Sequence, residues 1–221
     1  MKRILIGCEE SQAVCIEFRK LGFEAFSCDI QECSGGHPEW HYQQDIFEVI
    51  NMGWDAMIAF PPCTYLTVTG ARWLYNKDKT RNESRWTNQA EAVEFVKKIY
   101  NSNIKHIAIE NPIGQLSTYW KKPDQIIQPY YFGDEAQKAT CLWLKNLPKL
   151  YHSGYADLFN NEVTHSGKGE MVKTKTGKTF SKWYWETSKS KGKERQIARS
   201  KTFPGIAKAM ATQWGEYLLN Q

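Results

Sequence analysis

The stretch RILIGCEESQAVCIEFRKLGFEAFSCDI, residues 3–30, decides the fold. It opens on a short apolar run, RILIG (3–7), and crosses a polar turn. Apolar Val14, Ile16, Phe18 and Leu21 then recur at helical spacing up to Gly22, and a second apolar run, EAFSCDI (24–30), follows. Short apolar runs bounded by turn residues read as buried strands, and a glycine just past the last periodic residue reads as a helix C-terminus. A helix between two strands carries the chain back to the starting edge of the sheet, so the two strands pair in parallel.

The same signal recurs further on, in WDAMIAF (54–60), HIAIE (106–110) and TCLWL (140–144). Between them, Ala92, Val93, Val96, Ile99 and Tyr100 predict a helix over 87–101, behind a Thr87-Asn88 cap. Alternating strands and helices predict an α/β fold, with a mainly parallel sheet and helices on both faces. Ligands of such sheets bind outside the carboxyl ends of the strands. Gly7 to Ser11, Asp29, Pro61 to Cys63 and Glu110-Asn111-Pro112 all fall at those ends and are expected to converge on one crevice.

The 221 residues suit one domain with a small appendage. No apolar window approaches the roughly eighteen residues of a membrane span, and the start, MKRILIGCEES, is too short for a leader. Cysteines 8, 15, 28, 33, 63 and 141 lie mostly in apolar segments without the spacing of a disulfide framework. These features predict a soluble protein of a reducing cytoplasm.

The net charge of +5 is unevenly spread. Residues 151–202 hold eleven Lys/Arg against five Asp/Glu, while the rest of the chain holds eighteen against nineteen. The excess therefore lies in this segment, where Gly, Lys, Ser and Thr also become frequent. We expect a small basic lobe at 151–199 attached to a body formed by 1–150 and 200–221, the last part returning to a helix through Ile206, Met210, Trp214 and Leu218. A local cationic excess fits a polyanionic partner or a solvated lysine-rich loop. Within the lobe, Phe180, Trp183, Tyr184 and Trp185 interleave with lysines such as Lys182, a pattern that suits phosphates and stacked bases or a hairpin packed on the core.

Cys63 follows Pro61 and Pro62 at a strand end, and the prolines fix the backbone where the thiol emerges. The residue reads as a nucleophile on a stiff turn or as a small buried side chain; a thiolate there needs a cation, and Arg72 is the nearest in sequence. Glu110 ends another strand before a turn, as an acid aimed into the crevice or as a cap or ion-pair partner. Cys28, Cys33, His37 and His41 have zinc-ligand types, but their spacing matches no familiar finger, and no metal is expected.

FPPC and IENP together resemble the cytosine-5 DNA methyltransferases, in particular their short phage-type members. The first matches the Pro-Cys nucleophile motif and the second the Glu-Asn motif. CDI (28–30), QDIFEV (44–49), YFGDEAQKATCLWL (131–144) and SKTFPGIAKAMA (200–211) are similar to further family segments in the same order. The resemblance covers 1–150 and 199–221. It implies a Rossmann-like methyltransferase fold and S-adenosylmethionine as cofactor, held by Gly7, Cys8, Glu9, Glu10, Ser11, Asp29, Ile30, Asp45 and Pro61. It further implies that Cys63 attacks carbon 6 of cytosine and that Glu110 acts on ring nitrogen 3. Substrate contacts would come from Pro62, Thr64, Arg72, Trp73, Asn111, Lys138, Thr140, Lys182, Trp183 and Trp185. The family extrudes its target base, so the loop after Cys63 is expected to move, with Gly70 as hinge.

Three segments depart from the family pattern: the first loop keeps only Gly7, Lys138 and Thr140 stand where arginines are usual, and Thr64 replaces a glutamine. DNA is the expected partner of a monomeric enzyme. A free cytosine nucleotide is the alternative substrate, and a catalytically silent fold that binds nucleic acid is the alternative function. Methylation of an exocyclic amino group would place an aromatic at position 63.

Overall fold

The computed structural model describes residues 1–152, 164–174 and 176–221. Seven strands form one sheet: β1 (Arg3–Gly7), β2 (Glu24–Asp29), β3 (His41–Gln43), β4 (Ala56–Ala59), β5 (His106–Pro112), β6 (Gln125–Ile127) and β7 (Thr140–Lys145). Their order is β3-β2-β1-β4-β5-β7-β6, with β7 alone running against the others. The fold is the expected Rossmann-like α/β one, a mainly parallel sheet covered on both faces.

Alternation along the strands builds two cores. Ile4, Ile6, Ala25, Ile58, Ala108 and Leu142 face one side, where α1 (Ala13–Lys20) packs with the C-terminal α7 (Pro204–Ala209) and α8 (Gly215–Leu219). Leu5, Met57, Ile107, Ile109 and Trp143 face the other, against α2 (Ile46–Val49) and α3 (Glu83–Tyr100). Successive side chains of a strand point to opposite faces, and strands buried on both faces read as continuous apolar runs. That is why RILIG and DAMIAF show no polar alternation.

The foreseen helix start moves. Asn82, not Thr87-Asn88, caps α3: its side-chain oxygen accepts from Arg85 N, and the helix begins at Glu83. The first turns carry Arg85 and Trp86 rather than periodic apolar residues, which hid them. Gly22 does sit past α1 in the left-handed region, at φ 83°. The C-terminal helix is interrupted by one π-helical turn, Met210–Trp214, yet Ile206, Met210, Trp214 and Leu218 are all buried as the pattern required. The short strands β3 and β6 and the turn α4 (Leu116–Tyr119) were not foreseen, because three or four residues carry no readable period.

In the basic segment, β8 (Met171–Lys173) and β9 (Thr179–Ser181) form a hairpin, followed by α5 (Lys182–Lys189) and α6 (Gly192–Ser200). The aromatics at 183–185 therefore lie on a helix and not on the hairpin, with Ser181 as its N-cap. Trp183 contacts Phe203 ahead of α7, at 5.3 Å between ring centres, and Ser166 N donates to Tyr130 O at 3.0 Å. Both contacts tie this segment to the body. Among the described residues, no helix is long and apolar enough to cross a membrane.

Candidate active site

Cys63 leaves the end of β4 on a turn that is held at nearly every carbonyl. Asn111 Nδ2 donates to Pro61 O at 2.8 Å, and Leu66 N and Thr67 N donate to Cys63 O at 2.9 and 3.2 Å. Gln115 N donates to Leu66 O at 2.7 Å. Asn111 is fully buried, and its Oδ1 has no hydrogen-bond partner among the described residues. Gly114 makes the close approach possible, since a Cβ there would stand 1.8 Å from Leu66 O.

Glu110 and Asn111 share the end of β5. Adjacent strand residues point to opposite faces, so Asn111 reaches the Cys63 turn while Glu110 turns toward the other side. Antiparallel pairing sets Pro112 opposite Thr140, which puts Thr140 diagonally beside Glu110 on one face. Buried Thr140 donates its hydroxyl to Lys138 O at 3.2 Å.

Burial raises the Cys63 thiol above its ordinary value and the Glu110 charge raises it further, while Lys138 pulls it down. Burial also raises Glu110, again opposed by Lys138 and by the Thr140 hydroxyl. A thiol, a carboxyl biased toward its protonated form and one half-buried ammonium thus share a single field. Lys138 supplies the cation here and Arg72 does not: the Arg72 guanidinium lies over Trp73 at 4.7 Å, on an exposed segment. Sequence distance misled, because Lys138 reaches Cys63 only through the β5–β7 pairing.

The segment after Cys63 is more structured than expected. Val68–Leu74 is a 3-10 helix, and Trp86 Nε1 donates to Leu74 O at 3.0 Å. Gly70 serves close packing, as a Cβ there would stand 2.9 Å from Arg85 Nη2. Pro62 and Thr64 are exposed beside Cys63, and Trp73 is 56% exposed.

The expected cofactor residues lie at or just after the ends of β1, β2, β3 and β4. Cys8 is left-handed at φ 57°, and Asp29 and Asp45 both act on its thiol, so two carboxylates converge on this turn. Such a donor set fits a sulfonium cation and ribose hydroxyls. Asp29 also accepts from Gln31 N, and Asp45 caps α2 through Phe47 N, both at 2.9 Å. Ile30 is 76% exposed. Gly7 fits its place through packing, because a Cβ there would meet Ile46. Pro61 is buried, Ser11 is half-buried beside the loop, and Glu10 bonds Ser34.

Glu9 is engaged differently. It is 4% exposed and accepts from Val14 N at 2.8 Å and Cys15 N at 3.3 Å, capping α1 from four residues ahead of its first residue. Burial, with help from Glu10, pushes its carboxyl up to about 7 against those two bonds. Sequence spacing hid this cap because the chain passes through Gln12 in the left-handed region, at φ 57°, before the helix starts.

Of the basic-lobe residues, Lys182 pairs with Glu170 at 2.8 Å, Trp183 packs on Phe203 and Trp185 is 37% exposed. The lobe's two arginines hold the end of α5: Arg195 donates to Ser188 O and Ser190 O, and Arg199 donates to Ser188 Oγ while covering the Tyr184 ring at 4.4 Å. Part of the charge excess is therefore internal, and side chains such as Lys173, Lys178 and Lys189 carry the exposed remainder. Two of the four residues of zinc-ligand type are engaged elsewhere. Cys28 Sγ faces Gln44 O, and His41 has both ring nitrogens bonded, to Ser27 Oγ at 2.8 Å and Gln31 O at 2.9 Å.

No protein-family model matches the chain, and no curated protein sequence does. Among solved structures it is similar to the S. pombe Dnmt2 methyltransferase, at 12% identity and a TM-score of 0.40, over 68% of this chain and 51% of that one. The chain thus spans about half the length of that protein, and the reading of the site rests on this chain's own residues.

Proposed function

We propose that the protein transfers a methyl group from S-adenosylmethionine to carbon 5 of cytosine in DNA. The observation that carries the reading is the common field of Lys138 on Cys63 and Glu110, at the ends of two neighbouring parallel strands. Asp29, Asp45, Ile30 and the Cys8 turn would hold the cofactor, which supplies an electrophilic methyl group when bound.

The chain's own groups account for activation of the base. Cys63, as thiolate, adds to carbon 6 and breaks the aromaticity of the ring; Lys138 favours the thiolate against burial and Glu110. Glu110 stabilises or protonates ring nitrogen 3, where charge develops, and burial, which raises its carboxyl, favours that role. Carbon 5 becomes nucleophilic in consequence. Loss of the carbon 5 proton after methylation expels Cys63 and restores the double bond. Asn111, through Pro61 O, holds the Cys63 turn against the strand that carries Glu110. Arg72 and Trp73, exposed at the rim, suit a phosphate and a displaced base, as Trp185 and the exposed lysines of the lobe do further out.

The test is transfer of labelled methyl to unmethylated duplex DNA, in parallel with deoxycytidine monophosphate and with a Cys63→Ala protein. Label in DNA that vanishes in the variant supports the reading. Label in the mononucleotide alone assigns the chemistry to a free nucleotide, and label in neither overturns the enzymatic reading in favour of a silent binding fold.

A further inference from the structure

We infer that Arg85 and Gln89, on the first turns of α3, are positioning residues that hold the Cys63 turn in its reactive shape; the inference rests on Cys63 as the nucleophile. The two side chains take two of the carbonyls that the strand-end contacts leave over. Arg85 Nη2 donates to Thr64 O at 2.9 Å, and Gln89 Nε2 donates to Tyr65 O at 3.1 Å. Together with Asn111 on Pro61 O and Gln115 N on Leu66 O, they complete a row of anchors running from one side of the thiol to the other.

Arg85 does more than donate one bond. Its guanidinium also lies over the Tyr65 ring, 4.4 Å from the centre, and fills the space that Gly70 leaves by having no Cβ. A planar, permanently charged fork suits this double use, and an ammonium does not reproduce both contacts. Gln89 is only 4% exposed, on a helix face otherwise occupied by Val93 and Val96, so its amide is buried for this bond. A buried amide without a partner is costly, which ties the pitch of α3 to the position of Tyr65. The helix therefore acts as a rigid bar behind residues 64–70, and Asn82 sets where it begins.

Neither residue touches the reacting atoms in this reading, so the expected signature is a loss in kcat with little change in KM, since small displacements of a nucleophile cost large factors in rate. Arg85→Met keeps the stem and removes the fork. Arg85→Lys keeps the charge. Gln89→Leu conserves volume and removes the donor.

The experiment measures alkylation of Cys63 by iodoacetamide across pH, followed on its own peptide by mass spectrometry with Cys33 as internal reference, together with methyl transfer by the full chain. Expected for Arg85→Met and Gln89→Leu is a change of about fivefold or more in the Cys63 to Cys33 rate ratio. A fall in kcat of about tenfold to a hundredfold with KM within about twofold should accompany it. Arg85→Lys should restore the ratio in part. A Cys63 to Cys33 ratio within about 1.5-fold of wild type in both variants overturns the inference, as does an equal change at both cysteines, which reports general loosening. If the wild-type chain transfers no methyl group, the alkylation ratio still decides the positioning role, and only the reading of the reaction falls.

Discussion

Replacing Glu9 by Gln should change how the fold's stability depends on pH, by an amount the structure sets. The Glu9 carboxyl is buried at the start of α1, and burial raises it from 4.5 to about 7 despite the bonds from Val14 N and Cys15 N. Between those two values the folded chain holds a proton that the unfolded chain has released. Stability from this group is therefore fully present below about pH 4.5 and is lost as the pH rises toward 7. At 1.36 kcal/mol per pH unit, the whole displacement corresponds to about 3 kcal/mol. Glutamine is neutral throughout and should lack this dependence. Its amide still accepts from Val14 N but presents an NH2 to Cys15 N, an offset of about 1 kcal/mol that does not vary with pH. Urea denaturation of both proteins at several points from about pH 4.5 to 7.5 isolates the effect, because the other titrating groups cancel in the difference. The stability of Glu9→Gln minus that of wild type should climb by about 3 kcal/mol across this range. A difference that stays flat, or one that falls, would refute the assignment of a protonated, buried carboxyl at the helix start.

Two further outcomes test the strand-end geometry. In Lys138→Met the cation that favours the Cys63 thiolate is gone, so the pH at which Cys63 becomes reactive should rise, read from its alkylation rate against pH; an unchanged midpoint would show that another cation serves the thiol. Gly114→Ala drives a Cβ to 1.8 Å from the Leu66 carbonyl, with backbone on both sides, and should cost about 2 kcal/mol or more, measured as a fall of several degrees in Tm. A wild-type Tm would mean that the Cys63 turn is not held against the loop after β5.

The residues at 3–30 were enough to read the first βαβ unit, since apolar runs, helical spacing and Gly22 are local properties that each residue carries wherever the chain goes. The same holds for the strands at 54–60, 106–110 and 140–144 and for the buried stripe of the C-terminal helix. FPPC and IENP were legible as candidate chemistry because prolines and strand ends dictate where a side chain emerges. The start of α3 was not, because its first turns face the loop after Cys63 and need no apolar period. Nor was the Glu9 cap, which depends on one left-handed residue at Gln12. Lys138 lies far from Cys63 along the chain, and only the antiparallel register of β5 and β7 makes it the cation of the site. The arginines of the basic segment likewise counted as free charge until the fold set them on the end of α5. Sequence determined the longer strands of the sheet and the periodic helices, and where those strand ends would gather. Which charges meet at those ends was decided by strand pairing and helix docking, because such contacts join residues that local preference never compares.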